Sequence, residues 1–187
     1  MYKKIIVLLL CALAFGCGEQ KLNTVERDST SQQLHTFMDL LSAFEQQAQQ
    51  LLTSLQIGSD VSVIKAHSDT LSFQAQTILA LFVEQQPQCS DYVARLLPLS
   101  NSLQSLPYES IRSQLKQNEQ LSQFESAICY HVKDLLMQPI MLSAWANEEG
   151  LKETEYQLAS ESIVELIAHL SLVQTITMEQ AHSPDYS

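Results

Sequence analysis

The sequence predicts an all-α fold, an antiparallel four-helix-type bundle of long amphipathic helices with an irregular crossover between the second and third. Three observations carry this. Apolar residues recur at alternating spacings of three and four over long stretches, the period of one helix face. Gly and Pro, four and five of 187 residues, fall almost only in the gaps between those stretches. No alternating run flanked by Asn-Gly or Asp-Gly turn residues marks a strand hairpin.

The first helix is the clearest. Leu34, Phe37, Leu41, Phe44, Ala48, Leu51 and Leu55 form a heptad-like seam, with Gln and Ser filling the outside. Gly58-Ser59-Asp60 ends it and begins the second helix, Gly as terminator and Asp or Ser as N-cap, so the two make an antiparallel hairpin. Ile64, His67, Leu71, Gln74 or Ala75, Ile78 and Leu81 or Phe82 place the seam of the second helix, which stops near Pro87. From Pro87 to Pro107 the chain is broken by Pro98 and Ser100-Asn101-Ser102, with a short helix suggested by Tyr92, Val93, Leu96 and Leu97. A third long helix starts about Pro107, with Leu121, Phe124, Ile128, His131 and Leu135 on its seam. Pro139 kinks or ends it, and Trp145 lies in a short apolar continuation. After Asn147-Glu148-Glu149-Gly150, whose acids favour the N-terminus of the following helix, Tyr156, Ala159, Ile163, Leu166, Leu170 and Val173 define the last seam. Val164, Ile167 and Ile176 widen that stripe and place the last helix centrally in the core.

Residues 1–17 divide into a basic start (Lys3, Lys4), an apolar run from Ile5 to Phe15, and small residues around a cysteine, Gly16-Cys17-Gly18, which is the pattern of a signal peptide. The run is about half the ~20 residues a membrane-spanning helix needs. Leu13-Ala14-Phe15-Gly16-Cys17 resembles the lipobox of bacterial lipoproteins, although Ala14 stands where that family usually has leucine. The resemblance implies acylation of Cys17, cleavage before it, and, with Gly18 following rather than aspartate, anchorage in the outer membrane facing the periplasm. Several acyl chains hold a protein where one would not. The residues also contain a small-x-small site, Ala12-Leu13-Ala14, whose use would leave Cys17 a thiol. The organisation is therefore a signal peptide over 1–16, an acylated N-terminus and flexible tether over 17–30, one helical domain over 31–180, and a frayed tail over 181–187.

Removing Lys3 and Lys4 leaves eight basic against 21 acidic side chains, a net charge of −13. Such a surface repels phosphate backbones, so nucleic acid is excluded as a partner. Cys89 and Cys129 then remain beside Cys17; in an oxidising compartment they are bridged or separately buried, and the bridge is favoured. Their spacing fits neither a CxxC redox site nor a zinc cluster.

The familiar catalytic motifs, GxSxG, HExxH, GxGxxG and the phosphate loop, are absent, and the reading is of a non-enzyme with no cofactor. His67 and His131 occupy seam positions on helices that could face each other. Core or boundary histidines are the ordinary reading, and a metal pair with Asp69 or Asp134 the sharper one. Met38 and His169 could hold a haem axially as in periplasmic b-type cytochrome bundles, against packing and boundary roles. Glu165 and His169 form a surface pair. Trp145, Tyr130 and Tyr156 line a ligand pocket or simply the core. The function that fits best is a cell-envelope lipoprotein whose helical domain binds a protein partner as an adaptor, pilot, inhibitor or immunity-type factor. A binder of a small ligand, metal or haem is the alternative, and an envelope enzyme without a motif is third. Small helical lipoproteins that pilot secretion-system components resemble it in architecture.

Overall fold

The computed structural model describes residues 20–118, 126–148 and 151–181. Cys17, the signal segment, Leu121, Phe124, Glu149 and the 182–187 tail lie outside the described residues. Six α-helices and no strand occur among those described: α1 (Gln20–Gln56), α2 (Val61–Gln85), α3 (Ser90–Leu103), α4 (Tyr108–Gln117), α5 (Ala127–Glu148) and α6 (Glu153–Ala181). They form an all-α bundle. The chain divides into two compact units, Met1–Thr36 and Phe37–Ser187. In the first unit the backbone is helical from Gln20, within the segment read from sequence as a tether, and the Thr36 hydroxyl donates to the Gln32 carbonyl at 2.9 Å.

In the second unit the α1 seam is buried as its spacing predicts: Phe37, Leu41, Phe44, Ala48, Leu51 and Leu55 are essentially inaccessible. The helix ends as a Schellman motif. Gly58 takes φ +65°, its N–H donates to Leu55, and the Ser59 N–H reaches back to the Ser54 carbonyl at 2.9 Å. Asp60 occupies the N-cap of α2, but its side chain makes no capping bond; only its carbonyl accepts, from Val63 and Ile64.

On α2 the buried row is Ile64, Ser68, Leu71, Ala75, Ile78 and Phe82, with Ser72 and Leu79 beside it. His67 is therefore a neighbour of the seam and Ser68 its member. A buried serine is tolerated there because its hydroxyl bonds back to the Ile64 carbonyl at 2.9 Å, as Ser72 does to Ser68. A 3-10 turn over Pro87–Cys89 leads into α3, so the expected irregular crossover is largely regular helix. Tyr92, Val93, Leu96, Ser100 and Leu103 repeat at helical spacing on its buried side, and Pro98 sits on the exposed side.

The expected third helix is divided in two. Asn118 leaves helical geometry with ψ 83°, ending α4, and α5 begins at Ala127. Asparagine favours such ends because its side chain competes with the backbone ladder. Pro139 neither ends nor interrupts α5; it is buried within it. α5 touches α2, α3, α4 and α6. It buries residues around most of its circumference, among them Ile128, Val132, Leu135, Leu136, Ile140 and Ala144.

α6 buries the row foreseen for it, Ala159, Ile163, Leu166, Leu170 and Val173, and adds Thr177. Its first turn holds Glu153 and Glu155, and the Glu155 carboxylate accepts from the Lys152 N–H at 2.6 Å, half of a capping box. The Tyr156 hydroxyl donates to the Ser59 carbonyl at 2.7 Å, fastening the start of α6 to the α1–α2 turn.

Candidate functional site

Two arrangements on α5 and α6 carry chemistry. The first begins at the disulfide. Cys89, at the end of the 3-10 turn, and Cys129, in the first turn of α5, lie at disulfide bonding distance with Cα atoms 5.5 Å apart, both fully buried. The bridge sets the start of α5, and the next residues form a polar cluster against α6. His131 and His169 meet edge to face, with centroids 4.9 Å and Nδ1 atoms 3.5 Å apart. Asp134, one turn beyond His131 and 8% exposed, places Oδ2 3.0 Å from His169 Nδ1 and Oδ1 3.1 Å from Lys133 Nζ. That ammonium also sits 4.1 Å over the Tyr130 ring.

The electrostatics follow from this geometry. A carboxylate as buried as Asp134 needs compensation, and Lys133 with the His169 N–H supplies it. Accepting by Asp134 fixes the proton of neutral His169 on Nδ1. Burial, and then the neighbouring His169, lower the His131 pKa, with Asp134 opposing them. The Asp134 charge raises Tyr130, and burial together with Asp134 pushes Tyr92 of α3 up to about 12. Among the described residues no group of three His, Cys, Asp or Glu side chains is arranged to hold a metal ion. Lys133 also puts a cation where a metal would compete.

The histidines foreseen as a pair are separated. Asp69 faces Ser143 across α2 and α5, and Cys89 faces Cys129, so the helices run antiparallel. His67 is thus level with about Trp145 and lies roughly 14 residues, or ~20 Å, along the axis from His131. Its Nδ1 is 2.6 Å from the Gln47 side-chain amide of α1. Met38 and His169 are separated in the same way: Glu45 meets Gln174 and Ser59 meets Tyr156, leaving Met38 roughly 11 residues, or ~16 Å, from the level of His169. An iron cannot bridge that distance. The three aromatic residues also part company, for Trp145 stacks on Tyr108 at 5.4 Å, Tyr156 bonds to Ser59, and Tyr130 belongs to the histidine cluster.

The second arrangement is the outward face of α6. Val164, expected to widen the buried stripe, is 53% exposed, and Leu158 and Leu172 are exposed with it. At ~100° per residue, Leu158, Glu161, Val164, Glu165, Ala168, Leu172 and Glu179 share about a third of the helix circumference, and all are exposed. α6 contains five glutamates and no lysine or arginine. The face is an apolar strip set in negative charge. Sequence reasoning assigned Val164 to the core because a wide stripe reads the same whether one side is covered or two.

Among the described residues no helix is long and apolar enough to cross a membrane. Comparison with protein-family models, with characterised proteins and with solved structures finds no match to this chain.

Proposed function

We propose that this chain is a non-enzymatic envelope lipoprotein, anchored through Cys17, whose helical domain binds a protein partner along the outward face of α6. The observation that carries the reading is the combination on that face of exposed Leu158, Val164 and Leu172 with Glu161, Glu165 and Glu179, on a helix without lysine or arginine. Exposed leucine and valine in one strip offer area to bury on docking. The flanking carboxylates select the partner: a basic amphipathic helix satisfies both features, whereas a second copy of the face, an anionic membrane or nucleic acid is repelled. The lipobox-like segment and the paired cysteines, which suit an oxidising compartment, support the envelope location.

A photo-cross-linking side chain placed at Val164 or Leu172 in the native host tests the reading. The expected result is one discrete adduct that maps to a Lys- or Arg-bearing amphipathic segment of the partner and is lost on Glu161→Lys with Glu165→Lys at unchanged melting temperature. Absence of an adduct from either position, or an adduct indifferent to the charge reversal, overturns it. Mass spectrometry of the envelope form checks the anchor, since acylation adds diacylglycerol and acyl mass to a chain that begins at Cys17.

A further inference from the structure

α2, the end of α3 and α5 enclose a groove of about 370 Å³ that the partner-binding reading does not use. We propose that it binds a neutral saccharide. Its volume lies near the lower end of the ~300–1,000 Å³ typical of small-molecule sites. Phe73, 70% exposed, lines it, unusual for a phenylalanine on a helix that buries three other large apolar side chains completely in its second half. One helical turn to either side of Phe73 stand Asp69 and Gln76, so carboxylate, aromatic ring and amide share one face of α2.

The polar wall is already organised by its own bonds. Lys65 Nζ pairs with Asp69 Oδ2 at 2.5 Å, and the Ser143 hydroxyl of α5 donates to Asp69 Oδ1 at 2.5 Å. The Gln76 amide donates to Asn101 Oδ1 of α3 at 3.1 Å, with Gln104 beside it. Each of these amides carries more donors and acceptors than the bonds among them consume, and holding them in place beforehand reduces the ordering cost of binding.

The lining favours an uncharged ligand rich in hydroxyls over an anion, a cation or an apolar one. Among the lining residues described, one ammonium is matched by one carboxylate, so a phosphate meets Asp69 and a metal cation meets Lys65. A wholly apolar ligand would strip water from an ion pair and three amides without replacing their bonds. A neutral sugar avoids each penalty: its hydroxyls both donate and accept, and the C–H face of its ring covers the exposed aromatic.

Titration of the purified mature chain with N-acetylchitotriose and with maltotriose, followed by calorimetry and by NMR of the Phe73 ring and the Gln76, Asn101 and Gln104 side-chain amides, tests the proposal. One of the two sugars saturates the site and shifts those signals together. Phe73→Ala, at an exposed position, leaves the melting temperature in place and weakens binding by roughly tenfold or more. Asn101→Ala, also exposed, does the same by removing only hydrogen bonds and serves as the second variant should Phe73→Ala disturb the fold. No saturation by either sugar up to about 10 mM, shifts confined to other residues, or undiminished binding by both variants overturns it. Saturation of these signals by peptides and not by sugars also overturns it, and assigns the groove to protein docking.

Discussion

Removing the Cys89–Cys129 bridge tests how much of the bundle depends on one covalent link. The two cysteines are 40 residues apart, and the loop they close contains α3 and α4. In the chain-entropy model a loop of that length restrains the unfolded state by about 13 cal/mol/K, or about 4 kcal/mol at 25 °C. For a domain of this size that corresponds to a fall in melting temperature of about 8–16 °C. Urea unfolding of the oxidised chain, the reduced chain and the Cys89→Ala, Cys129→Ala variant provides the assay, and the two bridge-free forms should agree to within the small void left by the lost sulfurs. The loss should also be local. α4 has ten residues and one fully buried side chain, Ile111, and so short a helix is marginal on its own. Without the bridge, α4 amides should exchange through opening of that segment alone while α2 and α5 amides still report global unfolding. A stability change below about 1 kcal/mol, or α4 exchange as slow as that of α5, would refute the reasoning.

Three further outcomes can be checked by melting and denaturation. His131 has a lowered pKa in the folded state, so the unfolded chain binds the proton more readily; stability is complete above the unfolded value of about 6.5 and declines as pH falls through it. His131→Gln should flatten that part of the pH profile, and a profile unchanged by the substitution rejects the assignment. Gly58→Ala should cost about 1–2 kcal/mol even though nothing lies within 4 Å of the added carbon, because φ +65° strains any residue with a Cβ. On the α2 seam, Ser68→Ala should be nearly neutral, since its hydroxyl bonds only a carbonyl of its own helix, whereas Ser68→Leu should cost about 1–3 kcal/mol by overfilling a position with no exposure.

The legible part of this fold is the part where burial and residue type agree. On α1 every apolar seam residue of the second unit is buried and the exposed positions of its second half are mostly Gln, so angle alone suffices. On α2 the rows through His67 and through Ser68 have equal claims by spacing, and the choice depends on a hydroxyl that satisfies itself. α3 was obscured by a proline that faces outward and does little harm there. The histidine readings failed for a different reason. A seam position gives direction around a helix but not height along it, and height is set by the turns and by contacts such as Asp69 with Ser143. Asp134 and His169 were each noticed, but their 3.0 Å contact depends on how α5 and α6 are aligned, which no local pattern encodes.

The same distinction bears on function. In a bundle whose seams are filled by Phe37, Phe44, Phe82 and the leucines around them, the interior is consumed by folding, and the proposed recognition falls to residues that packing does not need. α6 has such a surplus. Its buried row is complete without Leu158, Val164 and Leu172, and exposing them invites association with any apolar surface. Glu161, Glu165 and Glu179 limit that association, because two such faces repel while a basic one is drawn in. On the proposed reading the strip and its charges make separable contributions to partner binding. Leu172→Gln should lower affinity without changing its salt dependence, whereas Glu161→Gln with Glu165→Gln should lower affinity at low salt and leave the two proteins converging at high salt, where exposed charges are screened. Identical salt profiles for the two variants would mean that the glutamates serve solubility alone and the apolar strip by itself selects the partner.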